Sequence, residues 1–253
     1  SFYLSLKELP NPIRPQISLL YMLARTSDTI ADSEQGDSGE LLLALESYNE
    51  FSQGKTTNLL DLSSLADSQR NKSEASLLRN VDKIVSKISD FSESDQQSIR
   101  HCLGTIIAGQ ILDLRRFSSD DGTILSLESD EELDDYAYRV AGSVGEFWTR
   151  MSLDHIFKLK EEDLEEELFE KGIRFGKSLQ MINILRDIPA DLSLGRCYIP
   201  SSKLEERGMT PTDLLDPSSM ESFRPIYDEY LDLTDEYLTS AVQYIEMLPH
   251  WKF

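Results

Sequence analysis

Cysteine is scarce in this chain, and so is positive charge. Cys102 and Cys197 are the two cysteines among 253 residues, too few for the disulfide framework of a small secreted domain. We therefore expect a reducing, cytoplasmic compartment. Lysine and arginine number 25 against 46 aspartates and glutamates, which gives a formal net charge of −21. Because nucleic acids and anionic membranes attract basic surfaces, this balance argues against nucleic acid as a partner.

Long apolar runs are also missing. The sequence contains no stretch of 18 or more apolar residues, so it predicts no transmembrane helix, and no signal peptide is recognisable. Hydrophobic residues still make up 40% of the chain, which is enough for a sizeable core. The length fits one large domain, and we assign residues 1–253 to a single domain.

Helical periodicity is what the sequence does have. Apolar residues recur at intervals of three and four, and no segment alternates convincingly as a strand would. The spacing predicts helices over residues 17–32, 40–51, 73–91, 92–117, 130–157, 161–188 and 218–248. Ser92 and Asp95 resemble a capping box, and Gly142 and Gly145 allow a neighbouring helix or a ligand to approach closely. The predicted fold class is all-α, a single-domain helical bundle around a central cavity.

A polar stripe stands out in residues 176–200. Gln180, Asn183, Asp187 and Asp191 follow one another at steps of three, four and four, so on a helix they share one face. Neighbouring carboxylates repel each other unless a positive charge lies between them. Hard cations such as Mg²⁺ are held by one or two carboxylates together with substrate phosphates. We expect Leu179, Ile182, Ile184 and Leu185 to face the core.

A second pair of acids repeats this spacing. Asp28 and Asp32 stand four apart near the end of an apolar helical run. One such pair is common in an acidic chain, but two pairs predict facing acidic rows that hold divalent ions, Mg²⁺ or alternatively Mn²⁺, against a diphosphate. Pro189 lies between the second pair of aspartates. Because proline removes a helical hydrogen bond, we expect the helix to kink or end there.

Basic and aromatic side chains near these acids are further candidates for substrate binding. Arg25, Arg186 and Arg196 could neutralise an anionic group of a substrate, and a surface ion pair is the alternative for each. Tyr21, Tyr136 and Tyr138 could line a dry cavity and stabilise a positive charge through their ring faces. Core packing is the alternative for each tyrosine. Asp113, an acid in an apolar helix, is explained as well by a pair with Arg115 or Arg116 as by a site.

Taken together, the motifs resemble the squalene/phytoene synthase family, with bacterial squalene synthases the most similar type. The resemblance rests on five segments, SFYLSLKELP (1–10), DTIAD (28–32), DYAYRVAGSVGEF (135–147), SLQMINILRDIPAD (178–191) and GRCYIP (195–200). It implies an isoprenoid-synthase-like fold. It maps catalytic roles onto Asp28, Asp32, Tyr136, Asp187 and Asp191, metal binding onto the same four aspartates with Asn183, and substrate contacts onto Gln180 and Asn183.

The resemblance also implies an activity and its cofactors. We expect two farnesyl diphosphates to condense head to head, through a cyclopropyl diphosphate, to squalene, with Mg²⁺ bound and NADPH as reductant. Phytoene-type members carry a second aspartate after the first, where this chain has Thr29, and this difference favours squalene. The chain has no G-x-G-x-x-G motif.

Other outcomes remain open. The product could be phytoene, dehydrosqualene or presqualene diphosphate on the same fold. A member without activity, acting as an assembly or binding protein, is the alternative from another class. Compared with the family, we expect the chain to be trimmed at both ends. A peripheral membrane contact for product release is a further expectation, and the sequence does not indicate an oligomeric state.

Overall fold

The computed structural model describes residues 3–33, 37–118 and 122–249, except for the side chain of Tyr3. Two compact units divide the chain. The first unit comprises Ser1–Leu114, Phe147–Glu165 and Leu248–Phe253, and the second comprises Arg115–Glu146 and Glu166–Met247. The assignment of residues 1–253 to a single domain stays a prediction.

Short and long helices build the first unit around one central helix. In chain order they are α1 (Tyr3–Glu8), α2 (Arg14–Ala31), α3 (Ser38–Ser52), α4 (Ser63–Ser68), α5 (Lys72–Arg79), α6 (Val81–Ser86), a 3-10 turn (Lys87–Asp90) and α7 (Glu93–Arg116). Helix α2 contacts α1, α3, α5 and α6. Its apolar face is buried at Ile17, Leu20, Leu23 and Ile30, as the helical spacing predicts.

Helix caps explain where several of these helices begin. The Asp37 carboxylate accepts a hydrogen bond of 2.8 Å from the Glu40 amide and starts α3. The Ser92 hydroxyl accepts one of 3.2 Å from the Asp95 amide, which is one half of the predicted capping box, whereas the Asp95 carboxylate bonds to Gln16 and His155. The single helix expected over residues 73–91 is wrong. It breaks at Asn80, whose side chain donates to the Ser76 carbonyl and competes with the helical ladder.

The second unit combines helices with one minimal strand pair. Its elements, some of which extend into the first unit, are β1 (Leu125–Ser126), α8 (Asp130–Ala137), a π-helical turn (Tyr138–Gly142), α9 (Ser143–His155), α10 (Glu162–Ser193), β2 (Arg196–Cys197), α11 (Ser201–Glu205), 3-10 turns at Pro211–Leu215 and Pro217–Ser219, and α12 (Met220–Met247). Strands β1 and β2 pair in parallel, Leu125 with Arg196 and Ser126 with Cys197. Two residues are too few to show strand alternation, so the sequence did not predict this pair.

Helix α10 runs without interruption through Pro189 to Ser193. The expectation that it ends at the proline is therefore wrong. Pro189 is exposed, and its ring leaves the Leu185 carbonyl, four residues back, without a helical amide partner. Because α10 continues, Asp187 and Asp191 remain one helical turn apart.

Glycines allow α9 and α10 to pack backbone against backbone. A Cβ atom added to Gly145 would lie 1.9 Å from the Gly172 carbonyl oxygen, and one added to Gly176 would lie 2.2 Å from the Ala141 carbonyl oxygen. Only glycine fits at such an approach. Close helix packing therefore accounts for Gly145. This is one of the two explanations that the sequence left open, a neighbouring helix or a ligand.

The all-α prediction is confirmed. Within the described part of the chain, no helix combines the length and the apolar character that crossing a bilayer requires. Cys102 and Cys197 are both buried thiols.

Candidate active site

The first acid pair lies at the end of α2. The Asp32 amide donates a hydrogen bond of 2.8 Å to the Asp28 carbonyl, so the two aspartates keep their helical spacing although α2 ends at Ala31. Asp28 is half-buried, with 41% of its side chain exposed, and Asp32 is exposed. The Asp28 carboxylate thus lies at the edge of the core.

Side chains from two other helices bind Asp28 and its neighbour Arg25. Gln110 of α7 donates from Nε2 to Asp28 Oδ1 at 2.6 Å. Arg25 Nη1 lies 4.0 Å from Asp28 Oδ2, while Nη2 of the same guanidinium donates to the Glu74 carboxylate of α5. The sequence did not indicate Gln110 or Glu74. They are 82 and 49 residues from their partners, and no local spacing signals contacts that depend on how α5 and α7 pack.

In the protein alone, the ionised form of Asp28 in the first acid pair is energetically unfavourable. Burial, and next the neighbouring Asp32, raise the pKa of Asp28 to about 6, against the opposing effects of Arg25 and Gln110. A cation bound between the two carboxylates would offset both causes. The pair therefore has the electrostatic character of a site that holds a positive ion.

Thr29, which marked the difference from phytoene-type members, faces the interior. It is 4% exposed, and its hydroxyl donates to the Arg25 carbonyl at 2.8 Å. Because residue 29 lies about 100° around the helix from residue 28, its side chain does not extend the row formed by Asp28 and Asp32.

The second acid pair lies on α10. Asp187 accepts two hydrogen bonds from the guanidinium of its neighbour Arg186, Nε to Oδ1 at 2.7 Å and Nη2 to Oδ2 at 2.5 Å. The hydrogen bonding lowers the pKa of Asp187. Burial, and next the charge of Asp187, raise the pKa of Asp191 to about 6, while Arg196 opposes the shift. One acid of the pair is stabilised as an anion, and the other is not.

The amides of the stripe precede this pair as the spacing predicts. Asn183 is exposed one turn before Asp187, and Gln180 is partly buried. Leu179 and Ile182, expected in the core, are 51% and 38% exposed. Leu179 lies one turn before Asn183 on the same side of the helix, whereas Ile182 lies about 140° to 180° around the axis from Asp187 and Asp191. The sequence reasoning did not foresee that either position is exposed.

The core side of α10 carries Met181, Ile184 and Leu185, which are buried. The expectation that Ile184 and Leu185 face the core is thus correct.

The three candidate tyrosines have different surroundings. Tyr136 is 8% exposed and stacks on Tyr198, with ring centroids 4.7 Å apart. Tyr138 donates from its hydroxyl to Glu146 Oε2 at 2.8 Å. Tyr21 lies on α2, one turn before Arg25, and is partly buried. Tyr136 and Tyr138 belong to the second unit and Tyr21 to the first.

A cavity of about 520 Å³ lies in the second unit. From α10 it is lined by Lys177 and Met181, not by the stripe residues. Its rim carboxylates already accept from its other polar groups. Asp134 Oδ1 accepts from Lys177 Nζ at 2.6 Å, and Asp130 Oδ1 accepts from the Tyr230 hydroxyl at 2.6 Å. Asp187 and Asp191, the second acid pair, are not among the residues that line this cavity.

The acids have the right chemistry for a hard cation. Across residues 3–33, 37–118 and 122–249, no group of three or more histidines, cysteines, aspartates or glutamates gathers closely enough to hold a metal ion. Each pair supplies two carboxylates, which matches the way Mg²⁺ uses one or two carboxylates and takes its remaining ligands from water and phosphate. The first pair belongs to the first unit and the second pair to the second. That the rows face each other stays a prediction.

Comparison with known proteins agrees with this class of fold and site. A family model described as squalene/phytoene synthase matches residues 1–253. The chain therefore belongs to the squalene/phytoene synthase family. The resemblance inferred from the five motifs is confirmed.

Curated relatives are similar over most of this chain. A bifunctional lycopene cyclase/phytoene synthase of Aspergillus oryzae is 27% identical over 256 residues, which cover 98% of this chain and 41% of the relative. The presqualene diphosphate synthase of Zymomonas mobilis is 29% identical over 214 residues, covering 85% of this chain and 60% of the relative. The chain thus spans about two fifths of the first relative and three fifths of the second.

A solved structure shares the fold. The complex of the squalene synthase TcSQS with the ligand BPH1237 superimposes with a TM-score of 0.75 at 20% identity, covering 98% of this chain and 68% of the other. The isoprenoid-synthase-like fold predicted from the sequence is confirmed.

Proposed function

We propose that this chain condenses two prenyl diphosphates head to head. The observation that carries the proposal is the presence of two acid pairs, Asp28 with Asp32 and Asp187 with Asp191. Each pair combines a half-buried or partly buried carboxylate of raised pKa with an acidic neighbour and an arginine. Family membership supports the reaction type.

The reaction makes two demands on the protein. In the first step, a C–O bond to one diphosphate breaks and a cyclopropane ring forms between the two chains, with loss of a proton and release of diphosphate. In the second, the remaining diphosphate leaves, the carbon skeleton rearranges, and the carbocation is discharged by loss of a proton or by a hydride from NADPH. Both steps need the anionic leaving group to be neutralised and the carbocation to be kept from water.

The chain's own residues would meet the first demand at the acid rows. Asp28, Asp32, Asp187 and Asp191, with Asn183, would hold Mg²⁺ or Mn²⁺. The bound metal supplies Lewis-acid neutralisation of the diphosphate. Arg25 and Arg196 add positive charge beside the acids. Arg25 opposes the rise in the pKa of Asp28, and Arg196 opposes the rise in the pKa of Asp191. Arg186 is bound to Asp187 and would have to exchange that partner to reach a phosphate.

The second demand falls to apolar and aromatic side chains. Leu179, which is 51% exposed, lies one turn before Asn183 on α10 and adds an apolar surface beside the polar stripe. A prenyl diphosphate has the same two parts, an anionic head and an apolar tail. Tyr21, Tyr136 and Tyr138 remain our candidates for the aromatic wall, and Gln180 for a polar contact with the head group.

The product is a finer proposal. Squalene, which the aspartate–threonine form of the first motif favours, requires a hydride from NADPH. No nicotinamide-binding motif supports that step. The names of the relatives favour phytoene or presqualene diphosphate instead. Those products leave the skeleton unreduced.

One experiment tests both levels. The protein is incubated with Mg²⁺ and either farnesyl or geranylgeranyl diphosphate, with and without NADPH, and extracts are analysed by mass spectrometry. Squalene only with NADPH supports the reductive reaction. Phytoene, dehydrosqualene or presqualene diphosphate without NADPH supports the unreduced products. The absence of any product, together with no binding of a diphosphate, would favour an assembly or binding protein.

Variants connect the reaction to the acid rows. Asp28→Ala and Asp187→Ala should abolish turnover, whereas Asp232→Ala, at an exposed acid of α12, should leave it unchanged. Substantial activity in either of the first two variants would contradict the assignment.

A further inference from the structure

The contact between Gln110 and Asp28 is a polar contact in an otherwise apolar stretch of α7. Around Gln110, this helix contributes apolar side chains to the core, among them Ile106, Ile107 and Leu114. Gln110 instead places its amide nitrogen 2.6 Å from Asp28 Oδ1. Since an ionised carboxylate only accepts hydrogen bonds, the amide must direct its NH₂ group at Asp28.

This orientation leaves the other end of the amide unsatisfied. Gln110 Oε1 is buried, and nothing in the described part of the chain donates to it. A buried acceptor without a donor destabilises the fold. An unbranched apolar residue such as methionine would fill nearly the same volume without that cost. Packing alone therefore does not account for glutamine at this position.

The contact does distinguish the two oxygens of Asp28. Oδ1 is engaged by Gln110, and Oδ2 lies on the side of Arg25, at 4.0 Å. Arg25 is itself held by Glu74. One oxygen is committed to the protein, and the other remains for a cation, with the Arg25 guanidinium beside it.

We propose that Gln110 is a positioning residue, which fixes the Asp28 carboxylate so that Oδ2 is presented to the bound ligand. This inference rests on the proposed function, because it assigns Asp28 to the binding of a metal and a diphosphate. A side chain that orients a metal-binding residue typically changes metal affinity or activity by roughly 10- to 100-fold when it is replaced.

The decisive comparison uses Gln110→Met and Gln110→Glu. Methionine removes the hydrogen bond at similar volume, and glutamate replaces a donor by a second carboxylate facing Asp28. Gln96→Met is the matched control. It lies on the same helix and donates to the Phe91 carbonyl, not to Asp28.

Two readouts do not depend on turnover. Calorimetric titration measures Mn²⁺-dependent binding of inorganic pyrophosphate, and thermal unfolding measures stability. We expect Gln110→Met to weaken pyrophosphate binding about tenfold while its melting temperature stays equal or rises, and Gln110→Glu to weaken binding further. Gln96→Met should bind like the wild type.

Each other outcome has a definite meaning. Wild-type binding in Gln110→Met, or a binding loss that only follows a drop in melting temperature, would overturn the positioning role and leave the proposed function intact. A wild-type protein that binds no pyrophosphate with Mn²⁺ or Mg²⁺ would overturn the proposed function and this inference with it.

Discussion

Tyr136 and Tyr198 stack with their ring planes 19° apart and their hydroxyl oxygens at 3.3 Å. Phe117 meets the Tyr198 ring edge-on, at 5.2 Å between centroids. Tyr198 thus supports Tyr136, one of the three tyrosines that we propose for the aromatic wall. It lies in the segment after β2, 62 residues along the chain from Tyr136.

Substitutions of Tyr198 should separate the hydroxyl from the stack. Tyr198→Phe keeps the ring and loses one hydrogen bond, so we expect the free energy of unfolding to fall by about 1 kcal/mol. Tyr198→Ala should lower it by about 3–5 kcal/mol and reduce turnover further, because Tyr136 loses its support. Urea unfolding and product formation, measured where each variant is folded, test this. Equal turnover in both variants would contradict the supporting role.

Asp28→Asn should lose activity and gain stability. The substitution removes a half-buried charge beside Asp32 while an amide oxygen can still accept from Gln110. We expect at least a hundredfold loss of turnover, and a gain of about 0.5–1 kcal/mol in unfolding free energy, since solvent screens part of the repulsion. Asp232→Asn is the control. A less stable Asp28→Asn protein would show that the ionised carboxylate stabilises the fold.

The thiol of Cys197 should give a stability change at alkaline pH. Cys197 is 2% exposed, and burial raises its pKa from 9.0 to about 11. The unfolded thiol ionises near its ordinary pKa and the folded one does not, so stability present below pH 9 is lost as the pH rises towards 11. We expect the wild type to lose about 2–3 kcal/mol more than Cys197→Ala over this range. Parallel curves for the two proteins would contradict the shift.

His155 should matter for stability through Asp95. Its Nε2 lies 2.8 Å from Oδ1 of the buried Asp95, whose other oxygen accepts from Gln16. His155→Ala leaves this carboxylate short of a partner and should lower the unfolding free energy by about 1–3 kcal/mol. The exposed His101, on α7, provides the control. If His155→Ala and His101→Ala unfold alike, the contact is not stabilising.

Gly145→Ala should disrupt the packing of α9 on α10. Its methyl group would meet the Gly172 carbonyl, a backbone atom that cannot rotate away, so we expect a loss of about 3 kcal/mol or more. Gly39→Ala, at an exposed position of α3 where the nearest atom is a side-chain oxygen of Asp37 at 3.1 Å, should change stability by less than about 1 kcal/mol. Thermal unfolding compares the two, and a stable Gly145→Ala protein would mean that the helices separate readily.

Local spacing was enough to predict most of the long helices and both acid pairs, because three- and four-residue periods express which face of a helix is buried. It failed where the outcome depended on neighbours. Helix α10 continues through Pro189, and Leu179 is exposed although it is apolar. Gln110 and Glu74 reach their partners only through the packing of α5 and α7 on α2. The two-residue strands arise from a contact 71 positions apart, for which no local pattern exists.

The π-helical turn at Tyr138–Gly142 sets the phase between two stretches of one continuous helix. One extra residue in a turn advances everything after it by about 100° around the axis. Only a turn of this length therefore allows Tyr136 to stack on Tyr198 while Gly145 packs against Gly172. Deleting a single residue there would rotate one contact out of place whatever its chemistry, so we expect insertions and deletions among relatives to avoid these five positions.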